Sequence, residues 1–186
     1  MKKAAILLAT GYEEGETLFV VDILRRADIP CTMYSTQESL SVEGGHSIVV
    51  QCDALLNDSI HDCDAVILPG GAGAAVLKED ARVLEIIREF DRQSKYIAAI
   101  CAAPSVLFSA GITQGRTLTS YPGDTYKAMF AASDYQEELV VTDGNLITSR
   151  GPATTLPFAY AIVDALGGNS TLLKEKMLYH MLAANI

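Results

Sequence analysis

Short, wholly apolar runs alternate with amphipathic segments along most of the chain, and this alternation restricts the fold more than any other feature. Residues 3–9 read as a continuous buried strand, and residues 14–27 as a helix with Leu18, Val21 and Leu24 on one face and Arg25 and Arg26 at its end. Pro30 leads into a strand at 31–35, and Gly44-Gly45 before 47–51 predicts a hairpin returning antiparallel. Asp64-Ala-Val-Ile-Leu68 is a buried strand that ends in Pro69-Gly70-Gly71. Residues 80–93 set Val83, Ile86, Ile87 and Phe90 at helical spacing with charges between them. A strand at 95–100, a helix at 102–110 capped by Gly111, a short strand at 115–119 and a helical segment at 123–132 follow. Asp143-Gly144 supplies a tight turn between strands at 138–142 and 145–149. Gly151-Pro152 opens a helix to Leu166, Gly167-Gly168 ends it, and 170–184 reads as a last helix.

Strands that are apolar throughout need cover on both faces, so the expected architecture is α/β, a largely parallel sheet between layers of helices. Such sheets bind ligands beyond the carboxyl ends of their strands. Three of those ends carry unusual residues: Gly11 to Glu16 after the first strand, Pro69-Gly70-Gly71 after the Leu68 strand, and Cys101 after the Ile100 strand.

With 186 residues the chain fits one domain, residues 1–186, with a substantial core. The formal charge of −9 argues against nucleic acid or an anionic membrane as the main partner, because both demand lysines and arginines. The apolar run behind Met1-Lys2-Lys3 is too short for a signal-peptide core, and no run approaches the ~20 apolar residues that span a bilayer, so a cytoplasmic location is expected. Cys31, Cys52, Cys63 and Cys101 form no C-x-x-C pair, which suggests neither disulfides nor a zinc site.

Cys101 is delivered by a strand to the start of a helix, flanked by Ala98, Ala99, Ala102 and Ala103. Unpaired N–H groups at a helix N-terminus stabilise a thiolate and draw the thiol pKa down toward neutrality. Glu16, in the opening turn of the first helix, is placed to reach toward this thiol. Burial there would favour its protonated form, which donates a hydrogen bond to sulfur. Gly70 and Gly71 offer backbone N–H groups as an oxyanion hole. Each feature alone has a plain structural explanation: a core cysteine, a carboxylate complementing a helix dipole, a tight turn. The histidines His46, His61 and His180 lie far from Cys101 in sequence, and His46 alone precedes a strand of the hairpin. Arg150 could bring a cation, and Tyr121 a phenol, to the same sheet edge.

The segments Glu13-Glu14-Gly15-Glu16-Thr17, Val66-Ile-Leu-Pro-Gly-Gly71, Ala98-Ala-Ile-Cys-Ala-Ala-Pro104 and Leu146-Ile-Thr-Ser-Arg-Gly-Pro152 together resemble the ThiJ/PfpI superfamily, and within it the branch of the parkinsonism-associated deglycase and its bacterial relatives. The resemblance spans nearly the whole chain. It implies a flavodoxin-like three-layer sandwich, a strained nucleophile elbow at Cys101 and a protonated Glu16 touching its sulfur. It also implies a homodimer, with no metal or cofactor. Gly70, Gly71 and Ala102 would supply backbone donors around the sulfur, and Arg26, His46 and Arg150 would lie near the pocket or dimer seam. Two departures bear on activity. The proteolytic branch has His directly after the nucleophile, where this chain has Ala102, and the deglycase branch often has His where this chain has Tyr121.

These residues suit an enzyme acting on reactive dicarbonyls or their early glycation adducts through a Cys101 hemithioacetal, with Glu16 moving protons. The alternative is a redox sensor or stress chaperone that works through a Cys101 sulfinate. A glutamine amidotransferase-like hydrolase shares the cysteine elbow but needs a downstream His-x-Glu dyad, which is absent.

Overall fold

The computed structural model describes residues 1–185. In chain order the elements are β1 (Ala4–Leu8), α1 (Glu14–Arg26), β2 (Cys31–Ser35), β3 (Ser41–Glu43), β4 (Val49–Gln51), β5 (Ala54–Leu55), β6 (Ala65–Leu68), α2 (Gly73–Leu77), α3 (Ala81–Arg92), β7 (Tyr96–Ile100) and α4 (Pro104–Ala110). They continue with β8 (Thr117–Leu118), α5 (Asp124–Met129), β9 (Asp134–Tyr135), β10 (Val140–Asp143), β11 (Leu146–Ser149), α6 (Thr155–Ala165), α7 (Ser170–Lys176) and α8 (Tyr179–Ala183). The main sheet runs β10-β11-β7-β6-β1-β2-β5, and every neighbouring pair is parallel except β10 with β11.

Alternation within the buried strands divides the core between the two faces. Ala4, Ile6 and Leu8 of β1 join Val20 and Leu24 of α1 and Phe158 and Ile162 of α6 on one side. Ala5 and Leu7 join Val83, Ile87 and Phe90 of α3 and Val106 and Leu107 of α4 on the other. Burying a Leu, Ile or Phe side chain contributes about 1.5–3 kcal/mol each, so the covered sheet is the main source of stability. The amphipathic α3 starts at Asp80, whose side chain accepts from Arg82 N at 2.9 Å. Among the described residues no helix is long and apolar enough to cross a membrane.

From β1 the chain crosses to β2 on one side and later returns to β6 on the other, which leaves a crevice at the carboxyl ends of β1 and β6. Glu16, Gly70 and Gly71 come to that crevice, and β7 beside β6 brings Cys101.

Several local expectations shift. The predicted hairpin forms from β3 and β4 as a separate sheet, tied to the body by Gly11 N donating to Glu43 O at 2.8 Å. The strand at 115–119 shrinks to β8, which pairs in parallel with β9. Asp143 stays in β10, because its carboxylate accepts from Thr117 N and Arg116 Nε at 2.9 Å each, so Gly144 and Asn145 make the turn. The helix at 102–110 begins only at Pro104, and the one from Pro152 opens with a 3-10 turn. Leu178, at φ +59°, breaks the segment 170–184 into α7 and α8, with no glycine or proline to announce it. Unexpected elements are β5, α2, β9 and a 3-10 turn at Asp58–Asp62.

Candidate active site

Cys101 follows β7 with φ at +63°, a left-handed conformation that costs an ordinary residue about 1–2 kcal/mol. Both of its peptide groups are held from outside the turn. Its N–H donates to Ser149 O of β11 at 3.0 Å, and its carbonyl accepts from Tyr121 N at 2.8 Å. Such bracing keeps the strained residue in place and points its side chain into the crevice, where 9% of the residue remains exposed.

Glu16 reaches the thiol because α1 is capped one turn earlier. The Glu13 carboxylate accepts from Glu16 N at 2.5 Å, which fixes the first turn and directs the Glu16 side chain inward. Glu16 is 0% exposed, and its Oε2 accepts from Gly70 N at 2.7 Å. Among the described residues its Oε1, buried beside the Cys101 side chain, has no hydrogen-bond partner, which leaves that oxygen free to carry a proton toward the sulfur. Gly70 is required here: a Cβ on it would stand 2.6 Å from Cys101 Cβ and 2.8 Å from Glu16 Oε2. Gly71, at φ +76°, carries the chain past Gly11 and Glu13, and its N–H and that of Ala102 point to Cys101. Gly70 therefore serves the carboxyl, while Gly71 and Ala102 serve the sulfur.

Burial pushes the Glu16 carboxyl up to about 7, against the opposing pull of the Gly70 N–H and the Cys101 thiol. Burial, then the charge of Glu16, push the Cys101 thiol up to about 12, while the Gly71 and Ala102 N–H groups pull it down. Burial and the Glu16 charge outweigh those donors, opposite in direction to the expected fall toward neutrality, and α4 starts at Pro104, three residues beyond the cysteine. The two shifts belong to one pair. A sulfur anion is compatible with this site when Glu16 holds the proton, because the like charge is then gone and the carboxyl becomes a donor.

The remaining expected residues lie around this centre rather than in it. His46 Nδ1 contacts Glu14 Oε2 at 2.9 Å and its N–H donates to Glu14 Oε1 at 2.6 Å, with the His46 side chain 77% exposed. Its pKa is raised by that carboxylate. Arg150 Nη1 lies 3.3 Å from Thr119 Oγ1 and 3.5 Å from Gln136 O. Tyr121 is exposed and makes an edge contact with Tyr126 at 6.4 Å between ring centres. Arg26 pairs with Asp22 at 2.7 Å on the surface. His61 lies against Glu89, 3.1 Å away, in a separate cleft. Glu13, Glu14 and His46 bring ligand atoms within 4.8 Å of one another, but these atoms already cap α1 and bond to each other.

A groove of about 410 Å³ opens beside the thiol, lined by Gly71, Ala102, Lys78, Ser105, Tyr126 and Met129 among others. Tyr126 is close enough to feel Cys101: burial first, then the sulfur's charge, raise its phenol. Neither Lys78 nor Tyr126 stands out in the sequence, since α2 is unannounced and Tyr126 sits within an unremarkable helical segment.

Residues 2–165 match the model of the DJ-1/PfpI family. The chain is 40% identical over 173 residues to the Parkinson disease protein 7 homolog of Danio rerio, covering 90% of each chain. A deglycase of Pyrococcus abyssi is 30% identical over 151 residues, with 81% of this chain and 90% of that protein covered. The crystal structure of Drosophila melanogaster DJ-1beta superposes with a TM-score of 0.90 at 37% identity, covering 95% of this chain and 97% of that one.

Proposed function

This chain belongs to the DJ-1/PfpI family, and from that premise we propose that it is a cofactor-independent cysteine enzyme of the glyoxalase or deglycase type, acting on reactive dicarbonyls or their early glycation adducts. One observation carries the reading: a fully buried carboxyl, pushed up to about 7 by its burial, stands beside a thiol on a strained turn. The relative named a deglycase supports the same chemistry.

For methylglyoxal, the Cys101 sulfur bonds to the aldehyde carbon and the aldehyde oxygen takes up a proton from Glu16, giving a hemithioacetal. Glu16, now a carboxylate, removes the proton from that carbon and returns one to the former ketone carbon, while the hydroxyl proton of the first carbon passes to the ketone oxygen. The first carbon is thereby oxidised to a thioester and the second reduced to a secondary alcohol, with no external redox partner. Water cleaves the thioester, releasing lactate and the thiol. The Gly71 and Ala102 N–H groups are suited to steady oxygen charge next to the sulfur. Ala102 leaves the nucleophile without an adjacent histidine, which disfavours peptide hydrolysis. Purified protein should form lactate from methylglyoxal, and Cys101→Ser should abolish it. Lactate formation undiminished in Cys101→Ser would refute the reading.

A second reading draws on the same donors. Peroxide would oxidise Cys101 stepwise to a sulfinate, its oxygens held by Glu16 and the Gly71 and Ala102 N–H groups, and that group would be the signal. Mass spectrometry after mild peroxide treatment should find two added oxygens on Cys101 alone; oxidation spread equally over Cys31, Cys52 and Cys63 would count against it. In either role the chain is inferred to act as a homodimer, because Leu18, Phe19, Ile48 and Val49 form an exposed apolar face that a monomer would leave wet.

A further inference from the structure

The groove beside Cys101 is uneven in character. Near the sulfur its wall is formed by Gly71, Ala74, Ala75 and Ala102, which leave room for a substrate's carbonyl end. Farther along stands Lys78, directly after α2, about 7–8 Å along the helix axis from Gly73 at about 1.5 Å per residue. Lys78 is the one charged residue lining the groove, and it is half-buried. Among the described residues it takes part in no ion pair. A half-buried lysine with no internal ion-pair partner marks where a negative group would be welcome, on a chain whose net charge of −9 leaves few such places. A single cation suits a monoanion: a phosphate would call for a bidentate arginine or a cradle of N–H groups as well.

We propose that this groove selects substrates whose far end carries a carboxylate, with Lys78 receiving the carboxylate while Cys101 takes the electrophilic carbon. The inference rests on the reading of Cys101 as a nucleophile toward aldehydes, and it assigns Lys78 as a specificity-determining residue. A neutral dicarbonyl would still reach the sulfur, with less affinity.

The test separates recognition from turnover. Cys101 alkylation is followed by peptide mapping with matched maleimides, neutral N-alkyl forms against 3-maleimidopropionate and 6-maleimidohexanoate, whose tails reach different depths. In Lys78→Gln the carboxylate-to-neutral rate ratio should fall about fivefold for at least one tail length, the upper range for a partly exposed ion pair, and Lys78→Arg should restore it. Added salt should shrink the wild-type ratio. Lys174→Gln, a distant lysine on α7, controls for net charge and should not move the ratio. Equal ratios in wild type and Lys78→Gln at both tail lengths, or an equal fall in Lys174→Gln, would overturn the inference. In parallel, kcat/KM for 4-carboxyphenylglyoxal relative to phenylglyoxal should drop in Lys78→Gln. No turnover of either glyoxal with an intact alkylation preference would sink the enzymatic reading alone; turnover with no preference would sink this one alone.

Discussion

Replacing Glu16 by Gln tests the central claim that a buried carboxyl keeps its proton near neutral pH. Glutamine has the same shape, its carbonyl can accept from Gly70 N as Oε2 does, and it cannot ionise. In the unfolded chain Glu16 titrates near 4.5, and in the fold burial lifts it to about 7. Between those values the native protein holds a proton that the unfolded chain has released, so rising pH favours unfolding. The stabilisation from the protonated carboxyl is complete below 4.5 and lost as pH rises through about 7. At roughly 1.4 kcal/mol per pH unit, the gap makes wild type about 3 kcal/mol less stable at pH 8 than at pH 4.5 from this group alone. Urea unfolding of both proteins across that range isolates the contribution of the Glu16–Cys101 pair, because titrations outside that pair are common to them. The stability of Glu16→Gln minus that of wild type should climb by about 3 kcal/mol from pH 4.5 to pH 8, with its midpoint at about pH 6, between the unfolded and folded values. A flat difference would refute the protonated carboxyl and, with it, the proton shuttle assigned to Glu16.

Because Cys101 and Glu16 share protons, the alkylation rate of Cys101 with a neutral reagent should rise to a plateau above about pH 7; a rate that climbs steadily to pH 11 would contradict the shared proton. Gly70→Ala places a methyl 2.6 Å from Cys101 Cβ and should cost about 1–3 kcal/mol in stability, with lactate formation falling roughly 100-fold as sulfur and carboxyl are pushed apart; calorimetry and the methylglyoxal assay read both, and wild-type behaviour in both would refute the close packing. Phe19→Glu, on the exposed apolar face, should convert a dimer to a monomer in analytical ultracentrifugation; an unchanged dimer would mean that the subunits meet elsewhere.

The order of strands and helices was legible in the sequence because burial on both faces leaves runs such as Ala65–Leu68 apolar at every position, a pattern that needs no tertiary knowledge. The same holds for Glu16, Gly70, Gly71 and Cys101, since ligand sites in such sheets collect where these strands end. Elements held by tertiary contacts were not legible. The two-residue strands β5 and β9 are too short to show a period, and Leu178 takes a glycine-like conformation without being glycine.

The sequence by itself put a cysteine, a glutamate and a glycine pair just beyond the carboxyl ends of three buried strands, because strand periodicity and chain direction fix which residues follow each strand. Only the tertiary structure decided how they divide the work. It gave Gly70 to the carboxyl, left Gly71 and Ala102 to the sulfur, and set the cysteine outside the helix expected to activate it. It also turned His46 toward Glu14 and brought Lys78 and Tyr126 to the groove. Hydrogen-bond direction, burial and proton sharing depend on distances of a few ångströms between segments far apart in the chain, and a linear pattern carries no record of those distances.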